Sequence, residues 1–198
     1  SVGKVATSDC DGPAGVNNFI TGTYGTPYPT EVLMAQTWNT DLLYDLGLAM
    51  GQEYADVNNY GVYGPAMNTH RSAFAGRNFE YYSEDGVLAG KLAAAQVNAM
   101  ATKGTYNYIK HFALNDQETN RTGMLCTWSN EQAIREIYLK PFEIAVKEGG
   151  AKAVMSSFNY IGTQWAGGTY PLQTTVLRDE WGFRGFVLTD YFGVYGYM

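Results

Sequence analysis

The stretch YNYIKHFAL, residues 106–114, predicts a buried β-strand whose carboxyl end carries a lysine and a histidine. The run is short and largely apolar or aromatic, which is typical of a strand in the interior of a parallel sheet. Four similar runs, each bounded by glycine or small polar residues, predict further strands at Val5–Ser8, Tyr60–Tyr63, Ala153–Asn159 and Phe186–Thr189.

Amphipathic segments separate these runs and predict helices over residues 40–57, 86–103, 129–148 and Thr174–Trp181, with a kink at Pro141. Strands that alternate with helices indicate an α/β fold with a parallel sheet. No GxGxxG follows the first strand and no GxxxxGK[ST] is present, which disfavours nucleotide-binding versions of that fold.

Polar residues lie just after the predicted strands, at Asp11, His70, Arg71, His111 and Asp190. In a TIM-type (β/α)₈ barrel the chemistry lies on the loops at that end of the strands. Such a barrel typically needs about 250 residues, whereas this chain has 198 and only five candidate strands. We therefore predict an incomplete (β/α)₈ barrel of about five βα units.

Composition excludes several classes of partner and site. The 13 basic and 19 acidic residues give a net charge of −6, so no nucleic acid is expected as a partner. No apolar run is long enough to span a bilayer, so no membrane association is evident. Cys10 and Cys126 show no metal-binding spacing and there are two histidines, so no metal or other cofactor is expected.

The low charged fraction, 16%, and the high aromatic fraction, 15%, suit a ligand with apolar faces and hydroxyl groups, such as a sugar. The first twelve residues, SVGKVATSDCDG, contain no basic segment followed by an apolar run, so no secretory signal is expected within them. Localisation stays open.

One carboxylate, Asp190, is predicted to close an apolar strand within GFVLTDYF, residues 185–192. A carboxylate in that position needs hydrogen-bond donors or cations, and the candidate suppliers are Arg77, Lys110, His111 and Arg121. Such a group is either a nucleophile for an anomeric carbon or part of a structural ion-pair cluster at the barrel mouth. The residues by themselves leave both interpretations open.

Five stretches in order carry a family resemblance across almost the whole chain: DGPAG (11–15), NTHR (68–71) leading into GRNFEYYSED (76–85), KHFALNDQETNR (110–121), VMSSFN (154–159) and LRDEWGFRGFVLTD (177–190). Together they resemble glycoside hydrolase family 3, in its branch rich in β-glucosidases. The resemblance implies a retaining, exo-acting hydrolase of β-linked sugars. Asp190 matches the family's catalytic nucleophile. The substrate-binding positions it implies are Asp11, Arg77, Lys110, His111, Arg121, Met155, Phe158 and Tyr191.

One departure concerns the nucleophile's surroundings. Phe158 stands where many relatives have a tyrosine whose hydroxyl supports the nucleophile, so that hydrogen bond is either missing or supplied from elsewhere, with Tyr160 as one candidate.

Retaining hydrolysis also needs a second carboxyl group as acid and base. In the family's glucosidases this group is a glutamate of a separate α/β sandwich domain, and the acidic residues here do not fill the role. We therefore expect residues 1–198 to be part of one barrel domain, inactive alone towards poorly activated glycosides.

The expected partners are a β-linked glucoside or oligosaccharide, and the remaining barrel segments and sandwich domain in the same or another chain. The alternative is a non-catalytic sugar-binding or scaffolding fragment of the same fold.

Overall fold

Five parallel strands form the centre of the molecule. The computed structural model describes residues 6–191. The strands are β1 (Ser8–Asp11), β2 (Asn59–Tyr63), β3 (Tyr106–Phe112), β4 (Ala153–Ser156) and β5 (Phe186–Thr189), and each is paired with its neighbour in chain order. Two short antiparallel strands, Asn17–Asn18 and Thr23–Tyr24, extend the sheet beyond β1.

Three principal helices cross between these strands: α1 (Thr40–Asp56), α2 (Gly86–Ala101) and α3 (Lys140–Lys147). They pack side by side, α1 on α2 and α2 on α3. Strand order that follows chain order under one continuous layer of helices is the winding of a (β/α) barrel, because a doubly wound sheet reverses its order at a switch point. Among the helices of residues 6–191, none combines the length and apolar character needed to cross a bilayer.

Local sequence explains where the first two of these helices begin and how closely they pack. Asn39 caps α1 by accepting a hydrogen bond of 3.0 Å from Leu42 N, and Asp85 caps α2 by accepting from Val87 N at 2.7 Å. At Gly47 of α1, a Cβ would lie 2.8 Å from the Cβ of Ala99, so only glycine permits this approach of the two helices.

The predicted third helix, 129–148, is divided in the structure. A short turn of helix, Glu131–Ala133, leads into a π-type segment, Ile134–Tyr138, and α3 follows it. Pro141 lies in the first turn of α3, because a residue without an N–H cannot continue a ladder of helical hydrogen bonds. The last predicted helix is also π-type and spans Pro171–Glu180, which is longer than predicted.

Strand bounds differ from the prediction by a few residues. β1 begins at Ser8 and includes Asp11, whereas the predicted start at Val5 lies outside the described residues. β3 ends at Phe112 and β4 at Ser156, each earlier than predicted, because cross-loop hydrogen bonds replace the ladder. Asn159 Nδ2 donates to the Ala113 carbonyl at 3.2 Å.

The two faces of the sheet have different chemistry. The helix-facing side is aliphatic and aromatic core, with Ile109, Phe112 and Val154 fully buried. On the opposite face, Asp9 accepts hydrogen bonds from the hydroxyls of Tyr106 at 2.6 Å and Tyr108 at 2.7 Å. These three residues lie nearer the amino ends of β1 and β3 than Asp11, Lys110 and His111, which lie towards the carboxyl ends of the same strands.

Candidate active site

A cavity of about 630 Å³ opens at the carboxyl ends of the parallel strands. Asp11 of β1, Lys110 and His111 of β3, and Asp190 directly after β5 all line it. A second cavity of about 550 Å³ shares Asp11, Asn17, Arg77 and Lys110 with the first, so the two cavities are adjacent. Parallel strands bring their carboxyl ends to one edge, and for that reason residues distant in sequence meet here.

Asp190 lies in this cavity with its two carboxylate oxygens in different surroundings. Oδ1 accepts a hydrogen bond of 2.7 Å from Tyr191 N, and the Asp190 amide donates to Ser156 O at 3.2 Å. Oδ2 lies 3.6 Å from Arg121 Nη1 and 3.7 Å from His111 Nε2, beyond direct hydrogen-bond distance. The main chain therefore holds one oxygen, and the other faces donors across a gap.

The pKa of Asp190 reflects a balance between burial and positive charge. Burial raises it above 3.8, while the Tyr191 amide and the cations Arg121, Lys110 and Arg77 lower it; the net direction is upward. The surrounding cations thus compensate only in part for the cost of burying this carboxylate.

Lys110 and Arg77 pair with Glu80 rather than with Asp190. Lys110 Nζ lies 3.0 Å from Glu80 Oε1, and Arg77 Nε donates to Glu80 Oε2 at 2.6 Å. Burial raises the pKa of Glu80, but the charges and hydrogen bonds of Lys110 and Arg77 together lower it by more. The net shift is downward, so the carboxylate is ionised. Of the four donors predicted for Asp190, only His111 and Arg121 approach it.

Glu118 links the two arginines of the site. Arg121 Nε lies 2.9 Å from Glu118 Oε2, and Arg77 Nη1 lies 3.8 Å from Glu118 Oε1. The Arg121 guanidinium also lies over the buried Phe158 ring, 4.7 Å from its centroid. Phe158 therefore supports Arg121 and does not appear among the residues that line the cavity.

His111 is buried and uncharged. Burial lowers its pKa well below 6.5, and the nearby Arg77, Lys110 and Arg121 lower it further. Its Nδ1 lies 3.2 Å from the Tyr81 hydroxyl. The approach of His111 to Asp190 is therefore a contact between a neutral imidazole and a carboxyl group, not an ion pair.

The turn after β1 holds Asp11 at the opposite wall. The Tyr54 hydroxyl lies 2.9, 3.1 and 3.0 Å from the carbonyl oxygens of Asp11, Gly12 and Gly15. Gly12 has a φ of +151°, and a Cβ there would clash with the Gly15 carbonyl oxygen. Only glycine allows this tight turn, which fixes the position of Asp11.

Some of the remaining candidates from the sequence line the cavity, and others support the loops around it. Met155 and Tyr191 line the cavity, and Tyr191 is 66% exposed. His70 and Arg71 act in the scaffold: His70 Nε2 lies 2.8 Å from Tyr81 O, and the Arg71 guanidinium lies over the Tyr138 ring. For Tyr160, the hydrogen bonds found within residues 6–191 do not include one from its hydroxyl to Asp190.

Sequence reasoning missed three participants: Glu80, Glu118 and Tyr81. Both glutamates had a local signal, since Glu80 lies three residues after Arg77, across one turn of 3₁₀ helix (Asn78–Glu80), and Glu118 lies three residues before Arg121. The partners of Tyr81 and the second partner of each glutamate come from other loops and strands. A further carboxyl group, Glu31, is buried beside the second cavity, where both its oxygens lie within 3.1 Å of Ala66 N.

Asp116, in the loop after β3, should make the folding stability of the protein depend on pH. Burial raises its pKa from 3.8 to about 7, against the opposing effects of a 2.9 Å hydrogen bond from Thr69 N and of Arg71. The unfolded carboxyl ionises at the lower pH, so ionisation destabilises the folded state progressively as pH rises between these two values. Relative to wild type, Asp116→Asn should therefore gain on the order of 4 kcal/mol of folding stability as pH rises across that range.

Thermal unfolding of both proteins at pH 5 and pH 8 measures this effect. The Tm difference, Asn variant minus wild type, should be larger at pH 8. Asp45→Asn, at an exposed position of α1, is the control, and its Tm should follow wild type in parallel. A Tm difference for Asp116→Asn that is equal at both pH values would contradict the raised pKa.

Comparison with known proteins identifies the family. Residues 6–198 match the glycosyl hydrolase family 3 N terminal domain. The chain belongs to glycosyl hydrolase family 3. It is 46% identical over 193 residues to beta-glucosidase A of Butyrivibrio fibrisolvens and 41% identical over 181 residues to a beta-glucosidase of Ruminococcus albus. These matches cover 97% and 91% of the chain but only 23% and 19% of those relatives.

Solved structures of the family agree with the fold. Beta-glucosidase 3B of Thermotoga neapolitana, in complex with glucose, matches with a TM-score of 0.86 and 44% identity over 92% of this chain and 26% of that one. The Kluyveromyces marxianus beta-glucosidase, also with glucose, gives a TM-score of 0.90 at 33% identity over 96% and 23%. The predicted family and the predicted (β/α) barrel class are confirmed.

Proposed function

We propose that this chain is the nucleophile-bearing part of a retaining β-glucosidase, which releases the non-reducing terminal glucose of a β-glucoside. The proposal rests on the position and contacts of Asp190. It lies at the carboxyl end of the sheet with Oδ1 held by Tyr191 N and Oδ2 turned towards Arg121 and His111. Both side chains stay beyond direct hydrogen-bond distance of Oδ2, which leaves that oxygen accessible, as a nucleophile requires.

In the proposed reaction, Asp190 Oδ2 attacks the anomeric carbon and forms a glycosyl ester. The bond to the aglycone oxygen breaks, and that oxygen leaves with a proton from an acid group. Water, deprotonated by the same group, then cleaves the ester and releases glucose. The configuration is retained because the anomeric carbon is inverted twice.

The charged residues around Asp190 suit recognition of neighbouring hydroxyl groups. Glu80 holds Arg77 and Lys110 in fixed orientations, and Glu118 does the same for Arg121. Donors that are already oriented lose little entropy on binding. We assign the sugar hydroxyls to these cations, to His111 and to Asp11, with Tyr191 and Met155 against the ring.

The acid and base group is proposed to come from outside this chain. Around the cavity in the described structure, Glu80 and Glu118 are paired with cations, Glu31 accepts from a backbone amide, and Asp9 holds two tyrosines. The barrel would be completed by further segments, and an α/β sandwich domain would supply a glutamate, in the same or another polypeptide. This agrees with the comparison with beta-glucosidase A of Butyrivibrio fibrisolvens, of whose length the chain covers only 23%.

Covalent trapping tests the function without depending on the acid group. A 2-deoxy-2-fluoro-β-glucoside with a dinitrophenolate leaving group needs no protonation, so it should label Asp190 by the mass of one fluoroglucosyl group. Peptide mapping locates the label. Asp190→Asn should not be labelled, while the exposed Asp179→Asn should be labelled as wild type.

Native mass and hydrolysis of p-nitrophenyl β-glucoside, measured on the same preparation, complete this test. We expect the lone 21.8 kDa chain to turn over little and a larger assembly to be active. An active assembly that is labelled elsewhere than Asp190 would refute the nucleophile assignment. An assembly that binds glucose but is neither labelled nor active would indicate a binding module.

A further inference from the structure

We infer that Tyr81 is a positioning residue that holds His111 in the tautomer protonated on Nε2, so that the imidazole presents a hydrogen-bond donor beside Asp190. The inference deepens the proposed function and rests on it for the role of His111 at the sugar. The tautomer itself can be measured without any activity.

The contacts run from Asn115 through Tyr81 to His111, and all three residues are buried. Tyr81 Oη lies 3.2 Å from His111 Nδ1 and 3.4 Å from Asn115 Nδ2. Tyr81 follows the 3₁₀ turn that carries Glu80, and its carbonyl contacts His70 Nε2 at 2.8 Å. The ring is thus held from both its backbone and its hydroxyl.

Glu118 determines the direction of these hydrogen bonds. Asn115 Nδ2 lies 3.4 Å from Glu118 Oε1 as well as from Tyr81 Oη. A carboxylate only accepts, so the amino group of Asn115, not its carbonyl oxygen, must face Glu118. The same amino group then donates to Tyr81 Oη. Among the described residues, His111 Nδ1 is the acceptor that lies at this hydroxyl, so it receives the Tyr81 proton.

A hydrogen bond accepted at Nδ1 places the single proton of a neutral imidazole on Nε2. That proton lies on the side of Asp190, whose Oδ2 is 3.7 Å from Nε2. The other tautomer would direct a nitrogen lone pair at a carboxyl oxygen, which is repulsive when Asp190 is ionised. Because 3.7 Å is too long for a direct hydrogen bond, the Nε2 proton is available to a substrate oxygen.

Nitrogen-15 NMR of the histidine-labelled active preparation tests the tautomer. The His111 signals are assigned by their loss in His111→Gln. In wild type, Nε2 should show the chemical shift of a protonated ring nitrogen, and Nδ1 that of an unprotonated, hydrogen-bonded one. In Tyr81→Phe the Nδ1 shift should move to that of a free acceptor. A wild-type His111 protonated on Nδ1, or on both nitrogens near pH 7, would overturn the inference.

Kinetics separates positioning from a general effect on folding. Tyr81→Phe should lower kcat/KM about five- to tenfold, which is the expected effect of one lost hydrogen bond in a buried site. Tyr82→Phe is the matched control, because it removes a neighbouring buried hydroxyl that binds Gln96 in the helical layer. It should leave kcat/KM within about twofold of wild type.

A double-mutant cycle with His111→Gln completes the test. If Tyr81 acts through the imidazole, Tyr81→Phe should have no further effect on kcat/KM once His111 is replaced. An equal loss in both backgrounds would show that Tyr81 acts independently of His111. If the protein hydrolyses no glucoside, the proposed function fails, and the NMR result still decides the tautomer.

Discussion

Asp190→Asn should lower kcat for β-glucoside hydrolysis by about 10⁴-fold or more, because an amide cannot form the glycosyl ester. The substitution preserves size, and the asparagine carbonyl still accepts from Tyr191 N. Glucose binding, measured by calorimetry, should therefore stay within about threefold of wild type. Both measurements use the complete active assembly.

The control for this substitution is Asp179→Asn, at an exposed position of the Pro171–Glu180 helix, which should retain wild-type kcat. Loss of glucose binding together with turnover in Asp190→Asn would show that Asp190 supports the pocket and is not the nucleophile. Retention of kcat above a few per cent would exclude covalent catalysis by Asp190.

Glu80→Gln should destabilise the protein by about 3 kcal/mol at pH 7, a Tm decrease of roughly 6–12 °C. Glu80 is the shared partner of Lys110 and Arg77, and all three side chains are at least four-fifths buried. The glutamine variant leaves the buried Lys110 without its ion-pair partner and leaves Arg77 with only its longer contact to Glu118, at 3.8 Å. KM for a glucoside should also rise, because both cations lose the contact that orients them.

The pH dependence of this effect follows from the lowered pKa of Glu80. Its ionised form stabilises the folded state above the unfolded pKa of 4.5, and this contribution is lost as pH falls through the lower folded-state value. The Tm difference between wild type and Glu80→Gln should therefore narrow in acid. Chemical or thermal unfolding between pH 3 and pH 7 measures it.

Glu143→Gln is the matched control, since Glu143 also contacts two cations, Lys140 and Lys147, but on the more exposed surface of α3. Ion pairs at the surface contribute little, so its Tm should change by no more than about 3 °C. Equal Tm changes in Glu80→Gln and Glu143→Gln would contradict the view that the Glu80 cluster is a buried charge network.

Glu80, Glu118 and their cations form one network with two functions. Glu80 and Glu118 neutralise cations that would otherwise repel one another across the cavity, and they also orient those cations towards a sugar. Asp190 lies at the edge of this network, where Arg121 Nη1 is 3.6 Å from its Oδ2, beyond direct hydrogen-bond distance. That arrangement leaves one carboxylate oxygen for chemistry while its neighbours stay fixed.

The alternation of apolar runs and amphipathic segments determined the α/β class, and β5 was predicted to the residue. The spacing of apolar residues along the chain follows which side chains are buried, so it locates buried strands and the core-facing sides of helices. The same reasoning placed Asp11, Lys110, His111 and Asp190 together, because the carboxyl ends of parallel strands meet at one edge. The π-type segments were not predictable, since they depend on hydrogen-bond register rather than on pattern.

Arg77 and Arg121 lie on loops, where no periodicity acts. The need of Asp190 for donors or cations made them candidates, and the family resemblance then implied that they bind sugar hydroxyls. Arg77–Glu80 and Arg121–Glu118 are local pairs, each between residues three positions apart. The tertiary structure alone decided the long-range pairs: Lys110 with Glu80, Arg77 with Glu118, and His111 with Tyr81. Side-chain pairing depends on distances of a few ångströms between loops distant in sequence. Those distances arise only when the strands have assembled, so the sequence by itself determined which residues share an edge, and the folded structure determined their partners.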